Sequence, residues 1–207
     1  MKSQIQPKRK IILLITILSA IVFAGTLYRA VIYIPTDEIP LPQAEQAIAA
    51  EIVVNKGDPN SFPTRLVIPK IDVDTNVLSV GITKKGNMAT PNNYTDVGWY
   101  KYGPLPGEMG SAVLAGHVNN GLALAGVFFH LNELAVGDDI YVTTKGGESL
   151  HFIVREMNTY PFNAKDTNVF TENDGKLLKL ITCAGTWVSN IRTHDQRLVV
   201  TAVFSPN

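Results

Sequence analysis

The chain has 207 residues, and its 18 Lys and Arg side chains balance 18 Asp and Glu, so the formal net charge is zero. A balanced charge excludes a general attraction to nucleic acid or to another polyanion. The length suits one compact domain with an appendage and excludes two ordinary domains with separate cores. A single cysteine, Cys183, excludes an internal disulfide and a zinc site built from several thiolates.

The amino-terminal region predicts a membrane anchor. Residues 11–28 carry no charge and would form about 27 Å of helix, which is enough to cross a bilayer. The basic flank before them predicts a cytoplasmic tail, residues 1–10, and a single-pass protein whose remaining chain is extracellular. A cleaved signal peptide is the alternative. The apolar run continues to residue 34 with only Arg29 interrupting it, which favours an uncleaved anchor over residues 11–34.

The exported part divides into a stalk and a domain. Five prolines in residues 35–63 indicate the stalk, and a stretch rich in Ala, Glu and Gln at residues 43–51 favours a short helix within it. Over residues 64–207, short β-branched and aromatic runs alternate with turn residues, which predicts a mainly β domain, an antiparallel barrel or sandwich. The eight predicted strands are residues 65–71, 77–82, 97–100, 111–117, 139–144, 149–160, 176–183 and 197–204. Short helices are predicted at residues 128–134 and 166–172.

Cys183 ends the apolar run 176–183, directly before an Ala-Gly-Thr segment at which the strand is predicted to stop. Period-two alternation places Cys183 with Lys179 and Ile181, on the face opposite the leucines that fill the core. A lone cysteine is either a small buried hydrophobe or a reactive thiol. Reactivity needs a base or a cation close by, so the neighbours of Cys183 decide between the two interpretations.

Two other strand ends carry polar candidates. His117 ends an apolar strand before an Asn-Asn-Gly turn, and the alternative to a catalytic role is a ring satisfied by hydrogen bonds of that turn. Arg197 opens the last strand, where a guanidinium can stabilise a developing oxyanion. Arg192 competes with Arg197 but ranks lower, because a loop aims a side chain less rigidly than a strand. The other three histidines lie in apolar runs or a polar loop and are weaker candidates.

Together these residues resemble the signature segments of sortases. The segments are Ala115-Gly116-His117, Leu180-Ile181-Thr182-Cys183 and Arg197-Leu198-Val199-Val200, in the family order His, Cys, Arg. The resemblance covers most of residues 64–204. The contexts Ala-Gly-His-Val and Ile-Thr-Cys-Ala-Gly-Thr are most similar to those of class F sortases.

The resemblance implies an eight-stranded β-barrel of the sortase type and a cysteine transpeptidase. Sortases cleave a Leu-Pro-x-Thr-Gly-like signal between Thr and Gly through a thioester and transfer the acyl group to an amine. Carried over to this chain, Cys183 is the nucleophile, His117 protonates the leaving amine and later activates the acceptor, and Arg197 steadies the oxyanion or the substrate. Thr182 matches the family's threonine before the cysteine and is expected to contact the substrate or the oxyanion.

The resemblance also implies partners. They are surface proteins bearing an LPxTG-like signal, an amine acceptor such as a peptidoglycan stem peptide or a pilin lysine, and the membrane itself. No nucleic acid, cofactor or metal is expected, since no acidic cluster has calcium-loop spacing. Lys179 stands where the common family motif has threonine, which leaves the electrostatic surroundings of the thiol open.

Two other functions compete with this interpretation. An L,D-transpeptidase also uses cysteine in a β-rich exported domain, but it calls for a histidine near a Ser/Gly-rich cysteine segment, whereas His117 and Cys183 lie 66 positions apart. A non-catalytic β-module that binds a surface ligand would have a buried Cys183 and a structural His117. Thiol reactivity discriminates between this module and an enzyme.

Overall fold

The computed structural model describes residues 7–32, 39–40, 58–164 and 168–206, and it divides the chain into the units Met1–Tyr33 and Ile34–Asn207. The first unit contains helix α1, Pro7–Ile32. Within α1 the stretch Ile11–Tyr28 is long and apolar enough to cross a membrane, and its side chains are exposed. An exposed apolar helix of this length is what an anchor needs, because lipid solvates its surface. Most of the predicted stalk, its short helix at 43–51 and part of the predicted tail lie outside the described residues.

The second unit is built mainly of β-strands. In chain order the described strands are β1 (Ile39–Pro40), β2 (Pro63–Ile68), β3 (Val73–Val80), β4 (Asn87–Met88), β5 (Val97–Tyr100), β6 (Gly110–Ala115), β7 (Asp139–Thr144), β8 (Ser149–Pro161), β9 (Lys176–Val188) and β10 (Thr193–Phe204). Eight of them close into a barrel, in the order β10-β8-β7-β2-β3-β5-β6-β9. The neighbouring strands are antiparallel except for the parallel pairs β3–β5 and β6–β9. Strands β1 and β4 form a separate two-stranded sheet that the sequence analysis did not predict.

Alternation along the strands builds two apolar clusters. The larger cluster fills the barrel and takes side chains from every barrel strand, with Trp99 and Phe152 among its largest members. The smaller cluster lies on the outer face of β6, β9 and β10, where Ile181 packs with Phe170 from the β8–β9 connection. These three strands are therefore buried on both faces, which explains their nearly continuous apolar sequences.

The strand bounds agree with the sequence predictions for β5 and β7. Two other predictions were wrong, because β6 ends at Ala115 and not at His117, and β10 begins at Thr193 and not at Arg197.

The prediction for β9 also differs. Strand β9 does not stop at Cys183 but continues to Val188 and pairs with β10 from Thr193 onward. Gly185 permits this continuation, because its φ is +76° and a Cβ there would lie 2.1 Å from the Asp195 carboxylate. The prediction that the strand stops at Cys183 was therefore wrong, and β9 and β10 form one long hairpin.

The predicted helices are shorter than expected. Residues 128–134 contain a single 3₁₀ turn, Leu131–Glu133, because a segment of this length does not offset the cost of nucleating an α-helix. Of the second predicted helix, residues 166 and 167 lie outside the described residues. Residues 168–172 form a turn in which Glu172 N donates to Asn168 O at 3.0 Å.

Candidate active site

Strand register brings the three candidate side chains to one level of the barrel. Arg197 is the direct partner of Cys183 in the β9–β10 ladder. The β6–β9 ladder ends with Ala115 opposite Ile181, and the Gly116 amide still donates to the Ile181 carbonyl at 3.0 Å. Continued for two residues beyond this pair, the same register would put His117 level with Cys183. We call His117, Cys183 and Arg197 the candidate row, and direct partners in such a row share a face of the sheet.

Close packing fixes the main chain of His117. The His117 carbonyl accepts a hydrogen bond from the Phe128 amide at 3.0 Å. A Cβ on Gly116 would lie 2.6 Å from the Phe128 ring, and a Cβ on Gly126 would lie 2.4 Å from the His117 carbonyl oxygen. Glycine at both positions permits this approach. The His117 side chain is fully buried, and its Nε2 lies 3.0 Å from the Pro91 carbonyl oxygen.

Thr182 links the strand of the cysteine to the segment of the histidine. Its hydroxyl donates to the Gly116 carbonyl at 2.8 Å, and the residue is only 4% exposed. The bond joins the residue before Cys183 to the residue before His117, so it fixes the spacing of the two side chains. Its expected contact with the substrate stays a prediction.

Arg197 is buried, and neutral oxygens of its own hairpin hold its guanidinium. Nη1 donates to the carbonyls of His194 at 3.1 Å and Gln196 at 2.9 Å, and Nη2 donates to Thr193 Oγ1 at 3.0 Å. Within residues 58–164 and 168–206, no carboxylate forms an ion pair with Arg197. Its Nε is buried and has no hydrogen-bond acceptor there. The uncompensated positive charge of Arg197 and its available Nε–H therefore lie beside Cys183.

A cavity of about 230 Å³ opens beside Cys183, which is 3% exposed. Phe128 and Leu198 contribute apolar walls, while Thr182 and His194 contribute polar groups. Trp187 packs edge-on against His194, with ring centroids 5.3 Å apart. None of the described side chains around this cavity carries a carboxylate or an amine. The cavity therefore suits an uncharged part of a ligand that reaches the thiol.

Lys179 belongs to an ionic cluster on the outer face of β9. It is 2% exposed, and its Nζ lies 2.5 Å from Glu172 Oε2 and 3.1 Å from the Asn168 carbonyl oxygen. Arg155 also donates to Glu172, at 2.5 Å. Burial raises the pKa of Glu172, but hydrogen bonds and charges from Lys179 and Arg155 outweigh it, so the pKa lies below its usual value. The ammonium of Lys179 is therefore paired, about 13 Å along the strand from Cys183.

Tyr160 lies at the level of the candidate row, whereas Arg192 lies outside it. Tyr160 on β8 is the direct partner of Arg197. Burial raises the pKa of Tyr160, and the charges of Glu156 and Glu172 raise it further, so the hydroxyl stays protonated at neutral pH. The sequence analysis missed this residue, although Tyr160 ends a predicted strand as His117 and Cys183 do. Arg192 is exposed in the turn of the β9–β10 hairpin.

Comparison with protein families agrees with the barrel fold. A family model described as Sortase domain matches residues 66–205, a range that contains the whole candidate row. No curated protein matches the chain in sequence.

Solved structures of sortases share the fold. Sortase C-1 from Actinomyces oris is 27% identical with a TM-score of 0.57, over 80% of this chain and 85% of that one. Sortase A from Corynebacterium diphtheriae is 23% identical with a TM-score of 0.55, over 70% of this chain and 61% of that one, so this chain spans less than two thirds of its length. A Clostridium perfringens sortase D5 transpeptidase is 24% identical with a TM-score of 0.52, over 79% and 89%.

Proposed function

Because the chain belongs to the sortase domain family, we propose that it is a cysteine transpeptidase that cleaves an LPxTG-like sorting signal and transfers the acyl group to an amine. The observation that carries this proposal is the register that pairs Cys183 with Arg197 and, continued two residues past the Ala115–Ile181 pair, puts His117 at the same level. A thiol, an imidazole and a guanidinium can supply the nucleophile, the proton carrier and the oxyanion stabiliser of acyl transfer through a thioester. Within the family, the sequence contexts of His117 and Cys183 support an assignment to class F.

The reaction proceeds in two balanced steps. In the first, Cys183 Sγ attacks the carbonyl carbon of the signal's Thr while its proton passes to His117. The C–N bond to Gly then breaks, and His117 returns the proton to the leaving amine, which yields a thioester and a free amino terminus. In the second step His117 removes a proton from the acceptor amine, which attacks the thioester, and the C–S bond breaks as His117 returns that proton to the departing sulfur.

Arg197 suits the developing negative charge of each tetrahedral intermediate. Its guanidinium is bonded to neutral oxygens alone among the described residues, so no carboxylate offsets its charge. The buried Nε–H is a donor that a bound oxyanion or a peptide carbonyl can use. Thr182, which lines the adjacent cavity, is proposed to contact the substrate there.

The apolar helix α1 supports a location at the membrane. We place the basic amino-terminal tail in the cytoplasm, residues 11–34 across the bilayer and the barrel outside the cell. Surface proteins that carry the sorting signal and an amine acceptor, a peptidoglycan stem peptide or a pilin lysine, are the proposed partners. Tethering confines enzyme and substrates to one layer, which raises their effective concentration without any new contact.

The direct test is a transfer assay with the full chain in detergent micelles. A panel of pentapeptide signals and small amines is incubated with the wild type and with Cys183→Ala, and the products are identified by mass. The proposal predicts a signal fragment joined to the amine with the wild type and none with the variant, while circular dichroism shows the same fold for both. A product yield in Cys183→Ala equal to that of the wild type would leave the non-catalytic binding module as the better interpretation.

A further inference from the structure

A main-chain carbonyl determines which nitrogen of the His117 ring carries a proton. His117 Nε2 lies 3.0 Å from the Pro91 carbonyl oxygen, and both residues are buried. A carbonyl oxygen only accepts hydrogen bonds, so Nε2 must be the donor. In the neutral ring the second nitrogen, Nδ1, then holds the lone pair.

The Pro91 carbonyl is fixed by packing and by a turn. A Cβ on Gly98 of β5 would lie 3.2 Å from Pro91 Cδ, so glycine at this position lets the proline ring pack on the strand. After Pro91 the side chain of Asn93 accepts hydrogen bonds from the amides of Thr95 at 3.0 Å and Asp96 at 2.8 Å. This Asx turn orders the chain between Pro91 and the start of β5. The acceptor is thus in place before any substrate binds.

The histidine side of this hydrogen bond is equally constrained. Gly116 and Gly126 permit the close packing of the His117 main chain, and the Phe128 amide binds its carbonyl. A flip of the ring would break a hydrogen bond between two buried residues, and an unpaired buried polar group is costly. The ring orientation and the protonated nitrogen are therefore set together.

We propose that the Pro91 carbonyl is a positioning group that holds His117 as the Nε2–H tautomer, so that Nδ1 takes and returns the proton during acyl transfer. The inference rests on the proposed role of His117. The proton moves from Cys183 Sγ to Nδ1 as the S–C bond forms, and from Nδ1 to the amine as the C–N bond breaks. The Nε2–H bond to Pro91 persists through both steps, so the imidazolium forms without a reorientation of the ring.

Nitrogen NMR of isotope-labelled histidine in the full chain, in detergent micelles, tests this inference. Long-range nitrogen–proton correlations distinguish the two neutral tautomers, and single His→Gln variants assign the signals. Two other histidines provide reference signals for the two ring nitrogens. His130 Nδ1 lies 2.6 Å from a Glu133 carboxylate oxygen, and His151 Nε2 lies 2.7 Å from an Asp139 carboxylate oxygen. We expect the His117 pattern to match that of His151. A neutral Nδ1–H ring, or an even mixture, would overturn the inference.

Removing the thiol identifies the cause of the tautomer. In Cys183→Ala we expect His117 to keep the Nε2–H form, because the Pro91 carbonyl is unchanged. A shift to a mixture would mean that the thiol sets the tautomer, and the inference would be wrong. These spectra need no substrate. An inactive wild type would therefore contradict the proposed function without affecting the assignment of the His117 tautomer.

Discussion

The two faces of strands β6, β9 and β10 are both buried, yet they differ in the side chains they carry. The inner face supplies Leu114, Leu180 and Val200 to the apolar core of the barrel. The outer face carries Lys179 and Cys183 on β9 and Arg197 on β10. Since side chains alternate along a strand, the same strands provide stability on one face and candidate chemistry on the other. A register slip of one residue would exchange the two faces.

The difference between the faces shows what each residue requires of its neighbours. The inner-face side chains Leu114, Leu180 and Val200 need only complementary shape, because they carry no polar atoms. Outer-face side chains need specific partners, and Lys179 has Glu172 while Arg197 has the carbonyls of its hairpin. The proposed function therefore predicts that outer-face substitutions at the candidate row change turnover, whereas inner-face substitutions change the free energy of unfolding.

Replacing His117 by Ala should have the largest effect of the substitutions in the candidate row. Loss of the proton carrier should lower kcat by a factor of about 10²–10⁴, the usual contribution of general acid–base catalysis. Transfer rates per folded molecule provide the measurement. His130→Ala is the matched control, because the His130 side chain is half exposed and pairs with Glu133. Equal rates for the two variants would refute the role assigned to His117.

Replacing Leu180 by Ala tests the inner face. Deleting a fully buried leucine side chain should lower the free energy of unfolding by about 2–5 kcal/mol, while kcat per folded molecule stays near that of the wild type. Urea denaturation measures the loss. Leu78→Ala, at a leucine that is 39% exposed, is the control and should lose much less. If both variants lose the same amount, the inner face does not carry the stability ascribed to it.

Replacing Arg197 by Lys separates charge from geometry. Lysine keeps the positive charge but loses the planar donors, so kcat should fall by a factor of about 10². Steady-state transfer kinetics provide the measurement, with Arg192→Lys on the exposed turn as the matched control. A turnover of Arg197→Lys indistinguishable from that of the control would remove Arg197 from the mechanism.

Replacing Lys179 by Met tests the ionic cluster through its pH dependence. At neutral pH the variant should be less stable by about 1–3 kcal/mol, because Glu172 keeps Arg155 but loses its buried partner. The folded pKa of Glu172 lies below its usual value of 4.5, so this stabilisation is present above pH 4.5 and is lost as the pH falls through the folded pKa.

The difference in urea midpoint between the wild type and Lys179→Met should therefore be smaller at acidic pH than at neutral pH. Lys145→Met, at an exposed lysine, is the control and should show no such decrease. A stability difference that is the same at both pH values would contradict the assigned role of Glu172.

The sequence predicted much of the barrel because its strands alternate or run apolar between clear turn residues. The bounds of β5 and β7 agree with that prediction. The continuation of β9 to Val188 was not predicted, because an Ala-Gly-Thr segment is typical of a strand end. The contact that lets β9 continue joins Gly185 to Asp195 on the next strand, and a single sequence does not reveal such a pair.

The resemblance to sortases identified the candidate residues, but only the strand register shows that they lie at one level of the barrel. Sequence positions 117, 183 and 197 contain no information on which residues face each other across a ladder. The Pro91 carbonyl left no signal at all, because every residue type has that atom. The partner of Lys179 was equally hidden, since Glu172 lies in a connection whose packing depends on the folded barrel.

The most direct test of the central claim is the detection of a thioester on Cys183. The full chain is mixed with an LPxTG peptide, quenched in acid and weighed intact, and the modified residue is mapped by proteolysis. Because the chain has one cysteine, we expect its mass to rise by the amino-terminal fragment of the signal, at Cys183, and to return to its original value with hydroxylamine. Continued transfer at the wild-type rate after complete alkylation of Cys183 would contradict the account.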